Sequence, residues 1–167
     1  MPVSRSADSR KPALSHVDRR GRVRMVDVSD KPETEREAIA EAEVRMSAEA
    51  VRAIRRKQVK KGDPLQTARL AGIMAAKRTA DLIPLCHPLQ LSHVDVDLRP
   101  RPRGYAIRSR VRTLGRTGVE MEALVAVTAA ALTLYDMLKA VDRAMVIGPV
   151  RLVEKRGGRS GHYRRRG

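Results

Sequence analysis

The segment from Val119 to about Val141 is rich in alanine and, drawn as a helix, apolar around most of its circumference. It predicts one long helix that begins after Gly118. A helix that is apolar on nearly every side is buried on several faces, so it must pack against more than one layer of other elements. The fold must therefore place this helix in its core, with other elements packed on several of its sides. We expect that helix to need more cover than its own sheet offers, which predicts an oligomer.

Four other runs are predicted as strands, three of them because apolar and polar residues alternate with a period of two. The four runs are 38–47, 94–98, 106–113 and 145–154. A basic turn with proline and glycine separates the second run from the third, as in a hairpin. Between the first two runs, helical spacing predicts helices over 48–56 and 64–79, joined by the turn Lys60-Lys61-Gly62, with Asp63 as the second N-cap.

The elements thus follow the order strand, two helices, two strands, helix, strand. This is the split βαβ order of ferredoxin-like α+β domains, in which helices cover one face of an antiparallel sheet. A chain of 167 residues suits one such domain, and 42% apolar residues can furnish its core without Phe or Trp. We therefore expect a ferredoxin-like α+β fold that is oligomeric.

Composition divides the chain into a flexible basic N-terminal tail (1–22), a single α+β domain (23–155) and a flexible Gly/Arg-rich C-terminal tail (156–167). The sequence contains no run typical of a membrane span or of a signal peptide. One cysteine excludes an internal disulfide, as is usual in a reducing compartment. These features predict a cytoplasmic protein that binds no membrane.

The net charge of +16 is concentrated at the two ends of the chain. Residues 1–24 hold seven Lys or Arg against two Asp, and 155–167 hold six Lys or Arg and no acid. The body holds 22 basic and 17 acidic residues, which suits an anionic small molecule as well as a polymer. One function that this charge and fold class permit is that of a small basic ferredoxin-like RNA-binding module. That module needs aromatic residues for base stacking, and the predicted strands offer only Tyr105.

The run DLIPLCHPL at 81–89 contains an imidazole and a thiol between two prolines. Pro84 and Pro88 fix their own φ and push the preceding residues towards extended backbone. Cys86 and His87 therefore lie on a constrained connection and not inside a helix. Ordered loops with an ionisable group often carry catalytic chemistry, although loop histidines also serve packing. His87 is thus a candidate functional residue, whereas Cys86 has the character of a small buried apolar residue.

Three motifs give the chain a family resemblance: DLIPLCHPL with the following LSHVDVDL, GVEMEAL at 118–124, and LYDMLKAVDRAMVIGPVRLVEKRGG at 134–158. Together they resemble the cyclic pyranopterin monophosphate synthase family, the molybdenum cofactor biosynthesis protein C family. The resemblance extends from about Val17 to Gly161. It implies a homohexamer, a trimer of dimers with active sites at subunit interfaces. The implied reaction converts a cyclic dihydro-GTP into cyclic pyranopterin monophosphate and pyrophosphate.

The resemblance also implies four catalytic residues. Asp136 is the implied acid/base group with Lys139 as its partner, and the two face the same way because they stand three apart on a helix. On the helix alone, this spacing is more typical of a surface ion pair. Lys61 is similar to a lysine that the family uses for acid/base work, although Lys60 leaves open which lysine points inward. His87 is the fourth.

For the substrate, the resemblance implies contacts from two segments and from basic residues near phosphate. These are Leu85, Cys86 and His87; Glu120, Met121 and Glu122; and Lys31, Arg36 and Lys155. Arg116 stands where relatives often have lysine, and it is not among the residues implied to contact the substrate. The resemblance establishes no cofactor and no metal site, and it leaves open a magnesium ion that accompanies the triphosphate.

The implied residues do not fit around one point of a single chain. Glu122 and Asp136 are separated by about 21 Å along one helix, at about 1.5 Å per residue. A symmetric interface can bring such distant residues together from two subunits. The spacing therefore favours a site shared between subunits.

Overall fold

The computed structural model describes residues 20–166, in which helices pack on one face of an antiparallel sheet. The strands are β1 (Thr34–Arg45), β2 (His93–Arg101), β3 (Gly104–Gly115), β4 (Val146–Ile147), β5 (Arg151–Arg156) and β6 (Tyr163–Arg164). The helices are α1 (Ala48–Arg55), α2 (Pro64–Ala76), α3 (Thr79–Leu82) and α4 (Glu120–Leu138). The α+β class predicted from the sequence is confirmed.

The strands lie in the order β2-β3-β1-β5-β6, with β4 paired to β1, and each pairing is antiparallel. Among the four longer strands, the first lies between the third and the last, which is the ferredoxin-like order. β2 and β3 form the predicted hairpin. The ferredoxin-like topology is therefore confirmed.

Several element boundaries differ from the predictions. β1 begins at Thr34 instead of residue 38, because its first residues, although charged, pair with the end of β3. The predicted strand 145–154 is two strands, since Pro149 between them has no N–H to donate to a ladder. The predicted helix 64–79 ends at Ala76 and is followed by α3, and the core helix ends at Leu138.

The core lies between the sheet and the helix layer, and it is built largely from small residues. α4 packs against α2, β1 and β3, as its apolar circumference predicts. A Cβ at Gly72 of α2 would meet the backbone oxygen of Ala126 in α4 at 2.8 Å, so these helices need glycine at their contact. Ser109 of β3 donates a hydrogen bond to the Ala123 carbonyl at 2.7 Å, which ties α4 to the sheet.

Among residues 20–166, α4 alone is long and apolar enough to cross a membrane, judged by length and composition. Half of that stretch is buried within the fold, and the core helix of a soluble protein meets the same test. α4 has the contacts of a core helix, because it packs on both α2 and the sheet.

The sheet continues into the segment 156–167, which the sequence predicts as a flexible tail. β6 pairs with β5 through Glu154–Arg164 and Lys155–Tyr163, and β5 itself reaches Arg156. Part of this segment is therefore a hairpin on the edge of the sheet. Most of the predicted N-terminal tail, 1–19, lies outside the described residues, and the three domain bounds stay predictions.

Candidate active site

Three predicted catalytic residues meet at the C-terminal end of α4, in what we call the lysine–aspartate cluster: Lys61, Asp136 and Lys139. Lys61 Nζ lies 2.9 Å from Asp136 Oδ2, and Lys139 Nζ lies 2.7 Å from Oδ1. Lys61 also donates to the backbone carbonyl of Asp136 at 3.1 Å. The three side chains are about half exposed. The i,i+3 pair therefore forms, and Lys61 is the lysine of its turn that joins it.

The turn before α2 brings Lys61 to this cluster. Gly62 has a φ of 101°, which glycine adopts readily, and its N–H donates to the Val59 carbonyl at 3.1 Å. Asp63 then caps α2 by accepting hydrogen bonds from two N–H groups of the first turn. The predicted turn and N-cap are confirmed, and together they fix where Lys61 leaves the backbone.

Charge pairing keeps the Asp136 carboxyl ionised. Hydrogen bonds from Lys139 and Lys61 lower the pKa of Asp136 to about 2, and the same carboxylate raises the pKa of Lys139. Ammonium groups only donate protons in hydrogen bonds, and a carboxylate only accepts them. The cluster can therefore donate hydrogen bonds to a substrate atom from two ammonium groups, which Asp136 positions.

The two predicted contact segments meet at the other end of α4, in a cavity of about 230 Å³ that we call the α4 N-terminal pocket. The wall consists of Leu85, Cys86, His87, Leu89, Thr117, Gly118, Glu120, Met121 and Glu122. Residues 85–87 come from the proline-punctuated connection, and 120–122 form the first turn of α4. The structure thus brings all six predicted residues of these segments into one pocket.

His87 is fixed in the α4 N-terminal pocket by the segment that precedes β1. Its Nε2 lies 2.9 Å from the Val26 carbonyl oxygen. Because a carbonyl only accepts, Nε2 carries the proton, and Nδ1 is the acceptor of the neutral ring. The connection itself turns where the Cys86 N–H donates to the Ile83 carbonyl at 3.0 Å. The predicted constrained connection is confirmed.

Glu122 is the most strongly buried acid of this pocket, with 4% of its surface exposed. Burial raises its pKa from 4.5 to about 7, so the carboxyl can exchange a proton near neutral pH. Burial, followed by the charge of Glu122, also raises the pKa of the Cys86 thiol. A thiol that stays protonated is a poor nucleophile, so Cys86 is suited to contact and not to attack.

The predicted phosphate residues line a second cavity, of about 540 Å³, which we call the cation pocket. Its charged wall consists of Lys31, Arg36, Arg116, Lys155, Arg159 and Glu120. Five basic side chains and one carboxylate give this wall a formal charge of +4. An anion with several charges is the ligand that such a pocket favours.

Protein oxygens hold three of the five cations in place. Arg36 donates to carbonyls at and just after the end of β3, at 2.9 and 3.1 Å. Arg116 donates to the Ser29 carbonyl at 2.9 Å. Lys155, on the helix-facing side of β5, places Nζ 2.9 Å from Glu120 Oε1. These groups are therefore oriented before any ligand binds.

The two pockets are contiguous, because Thr117, Gly118 and Glu120 line both of them. The lysine–aspartate cluster is at the opposite end of α4, about 21 Å from Glu122 by the helical rise of about 1.5 Å per residue. One chain thus has a continuous binding surface and a distant cluster of two ammonium groups around one carboxylate.

Arg116, Arg159 and Ser160 line the cation pocket and are not among the predicted site residues. The sequence could have indicated Arg116, because it stands two residues before the first glycine of the GVEMEAL motif. No sequence signal indicated Arg159 and Ser160, because only the pairing of β5 with β6 brings them to the pocket.

Residues 25–158 match the model of the MoaC family. The chain belongs to the MoaC family. Among its MoaC relatives is the cyclic pyranopterin monophosphate synthase of Thermomicrobium roseum, 58% identical over 91% of this chain and 93% of the relative. The protein of that name from Pelotomaculum thermopropionicum is 58% identical over 92% of each chain. The one from Heliobacterium modesticaldum is 59% identical over 90% of this chain and 96% of its own.

Two other predictions concern this MoaC chain's ligands. Within 20–166, no group of three or more His, Cys, Asp or Glu side chains is placed to hold a metal ion. Tyr105, on which base stacking in an RNA-binding module would depend, is 4% exposed and belongs to the core. The RNA-binding alternative therefore lacks its stacking residue.

Proposed function

We infer that this protein is a cyclic pyranopterin monophosphate synthase of molybdenum cofactor biosynthesis. It is a lyase that converts a cyclic dihydro-GTP into cyclic pyranopterin monophosphate and pyrophosphate. The observation that carries this inference is the 58–59% identity to relatives of that name over at least 90% of the chain. The family match at 25–158 covers the α4 N-terminal pocket, the lysine–aspartate cluster and the cation pocket apart from Arg159 and Ser160.

The cation pocket suits the triphosphate of this substrate. Its formal charge of +4 complements the charge of about −4 on a nucleoside triphosphate at neutral pH. Lys31, Arg36 and Lys155 are the residues proposed to contact phosphate. The pocket wall has one carboxylate, Glu120, so a magnesium ion that accompanies the triphosphate would be held mainly by phosphate oxygens.

The ring system of the substrate is proposed to occupy the contiguous α4 N-terminal pocket. Leu85, Cys86 and His87 would contact it from the connection, and Met121 and Glu122 from the first turn of α4. Three side chains of this pocket, His87, Glu120 and Glu122, are able to accept a proton, and Glu120 is already paired with Lys155. Ring opening and ring closure both need such groups.

The lysine–aspartate cluster is proposed to complete the site from a second subunit. An antiparallel arrangement of two α4 helices would bring the N-terminal pocket of one copy to the Asp136 end of the other. Exposed Leu70, Met74 and Leu132 on the helix layer offer an apolar surface for such a contact. We propose a cytoplasmic homohexamer, a trimer of dimers, with each site between two subunits.

Incubation of the purified protein with the cyclic dihydro-GTP tests the function. Released pyrophosphate and the oxidised, fluorescent pterin product are followed by chromatography, and the assembly by light scattering. Product at a rate proportional to enzyme supports the synthase. A folded hexamer that releases neither product contradicts it.

A further inference from the structure

A short turn at the rim of the cation pocket belongs to the C-terminal segment. This turn, residues 158–161, connects β5 to β6, and the Gly161 N–H donates to the Gly158 carbonyl at 3.2 Å. Two of its side chains, Arg159 and Ser160, line the cation pocket. The turn therefore carries polar side chains next to the proposed phosphate residues.

β6 holds the turn against the sheet. Beyond the paired residues of β6, the Arg165 N–H donates to the Val153 carbonyl at 2.8 Å. His162 Nε2 lies 2.8 Å from Glu154 Oε1 on β5. A backbone hydrogen bond and a side-chain contact between β5 and the residues around β6 thus fix the position of the turn.

Ser160 has a hydroxyl hydrogen that is available to a ligand. Its Oγ accepts a hydrogen bond from Lys155 Nζ at 2.7 Å, so one lone pair is occupied. A serine hydroxyl donates one hydrogen bond in addition. Among residues 20–166, no acceptor is paired with that hydrogen. Because Lys155 itself points into the cation pocket, the hydroxyl lies beside a cation that suits phosphate.

Arg159 differs from the other arginines of the pocket. Arg36 and Arg116 are held by backbone carbonyls, whereas the Arg159 guanidinium has no hydrogen bond or ion pair within the described part of the chain. An arginine can therefore turn towards an anion there without breaking an existing contact. Its planar fork of N–H donors matches two oxygens of one phosphate.

Gly158 makes the approach of this turn to Arg36 possible. Its φ is +75°, and a Cβ built there would collide with the Arg36 guanidinium. The left-handed backbone favours glycine, and a side chain here would push the end of Arg36 out of its position. The turn and the proposed phosphate residue Arg36 are thus packed directly against each other.

We propose that the turn 158–161 binds the pyrophosphate end of the substrate, through the Arg159 guanidinium and the Ser160 hydroxyl. The same groups would hold the pyrophosphate after it has been cleaved from the substrate. The identity of the anion rests on the proposed function, but binding of pyrophosphate alone does not require turnover. This separates the two inferences experimentally.

Calorimetric titration of inorganic pyrophosphate into the full-length protein tests the proposal. We expect Arg159→Ala to weaken binding about tenfold, Arg159→Lys to recover part of the loss, and Ser160→Ala to weaken binding by a smaller factor. Arg164→Ala is the matched control, because Arg164 is an exposed arginine of β6 outside the pocket wall. It should bind pyrophosphate as the wild type does.

The kinetic expectation is a raised KM for the cyclic dihydro-GTP in Arg159→Ala, with a much smaller change in kcat. Pyrophosphate affinity that is equal in Arg159→Ala, Ser160→Ala and wild type overturns the proposal, as does a wild type without measurable pyrophosphate binding. Loss of binding in Arg159→Ala from a protein that turns over no cyclic dihydro-GTP supports the turn and contradicts the synthase. If Arg159→Ala turns over the cyclic dihydro-GTP with unchanged KM and binds pyrophosphate with unchanged affinity, the synthase is supported and the role of the turn is contradicted.

Discussion

Lys61 donates a hydrogen bond to Asp136 across 75 residues of sequence, at a distance of 2.9 Å. The contact joins the turn before α2 to the last part of α4, and Lys139 approaches the same carboxylate from the other side. One carboxylate thus sets the positions of two ammonium groups. Loss of the Asp136 carboxylate should leave Lys61 and Lys139 without the group that holds both ammonium groups in position.

We expect Asp136→Asn to lower kcat by at least about 100-fold, because both ammonium groups lose the carboxylate that positions them. The oligomer should persist, because the side chain is half exposed and no core contact is lost. Steady-state turnover together with light scattering measures both quantities. Asp95→Asn is the control, since Asp95 is an exposed carboxylate of β2. A fully active Asp136→Asn enzyme would remove this residue from the proposed machinery.

Two variants of His87 should distinguish the effect of its hydrogen bond to Val26 from the effect of the imidazole ring itself. Gln can place an amide N–H near the position of Nε2 and keep the hydrogen bond to the Val26 carbonyl, whereas Ala cannot. We expect His87→Ala to raise KM and to speed hydrogen exchange around Val26, and His87→Gln to restore slow exchange. Retention of slow exchange in His87→Ala would show that other contacts hold this segment.

Sequence patterns predicted elements whose cause is local. α4 followed from its own apolar residues, the β2–β3 hairpin from alternation around a turn, and the cap of α2 from Asp63 followed by proline. The start of β1 was missed because its charged residues conceal the alternation, and only pairing with β3 makes them a strand.

The site divides in the same way. Spacing on one helix was enough to predict the Asp136–Lys139 pair, while the roles of Lys61 and the substrate segments came from the family resemblance. Neither source pointed to Arg159, since its position depends on the pairing of two short strands at the sheet edge. Burial of Glu122 likewise arises from tertiary packing, which the motif GVEMEAL does not encode by itself.

The buried Glu122 should make stability depend on pH. Its pKa is raised to about 7 in the folded protein, so the folded state holds a proton that the unfolded state releases above about 4.5. Stability from this group is fully present below about pH 4.5 and declines as the pH rises through about 7, by about 3 kcal/mol in all. Urea unfolding at several pH values should show this decline. Glu122→Gln, which cannot ionise, should flatten it, and an identical decline in the variant would contradict the assignment.

A shared site predicts that two inactive variants complement each other. In a mixed dimer of Arg36→Ala and Asp136→Asn, one site carries both substitutions and the other carries neither, if Arg36 and Asp136 act from different subunits. Random re-association should therefore restore about a quarter of the wild-type activity, because half of the dimers are mixed and each has one intact site. Arg36→Ala mixed with Lys155→Ala is the matched control, since both residues line the same pocket of one chain and no intact site can form. Activity of the first mixture no higher than the mean of its parents would place the whole site within one subunit.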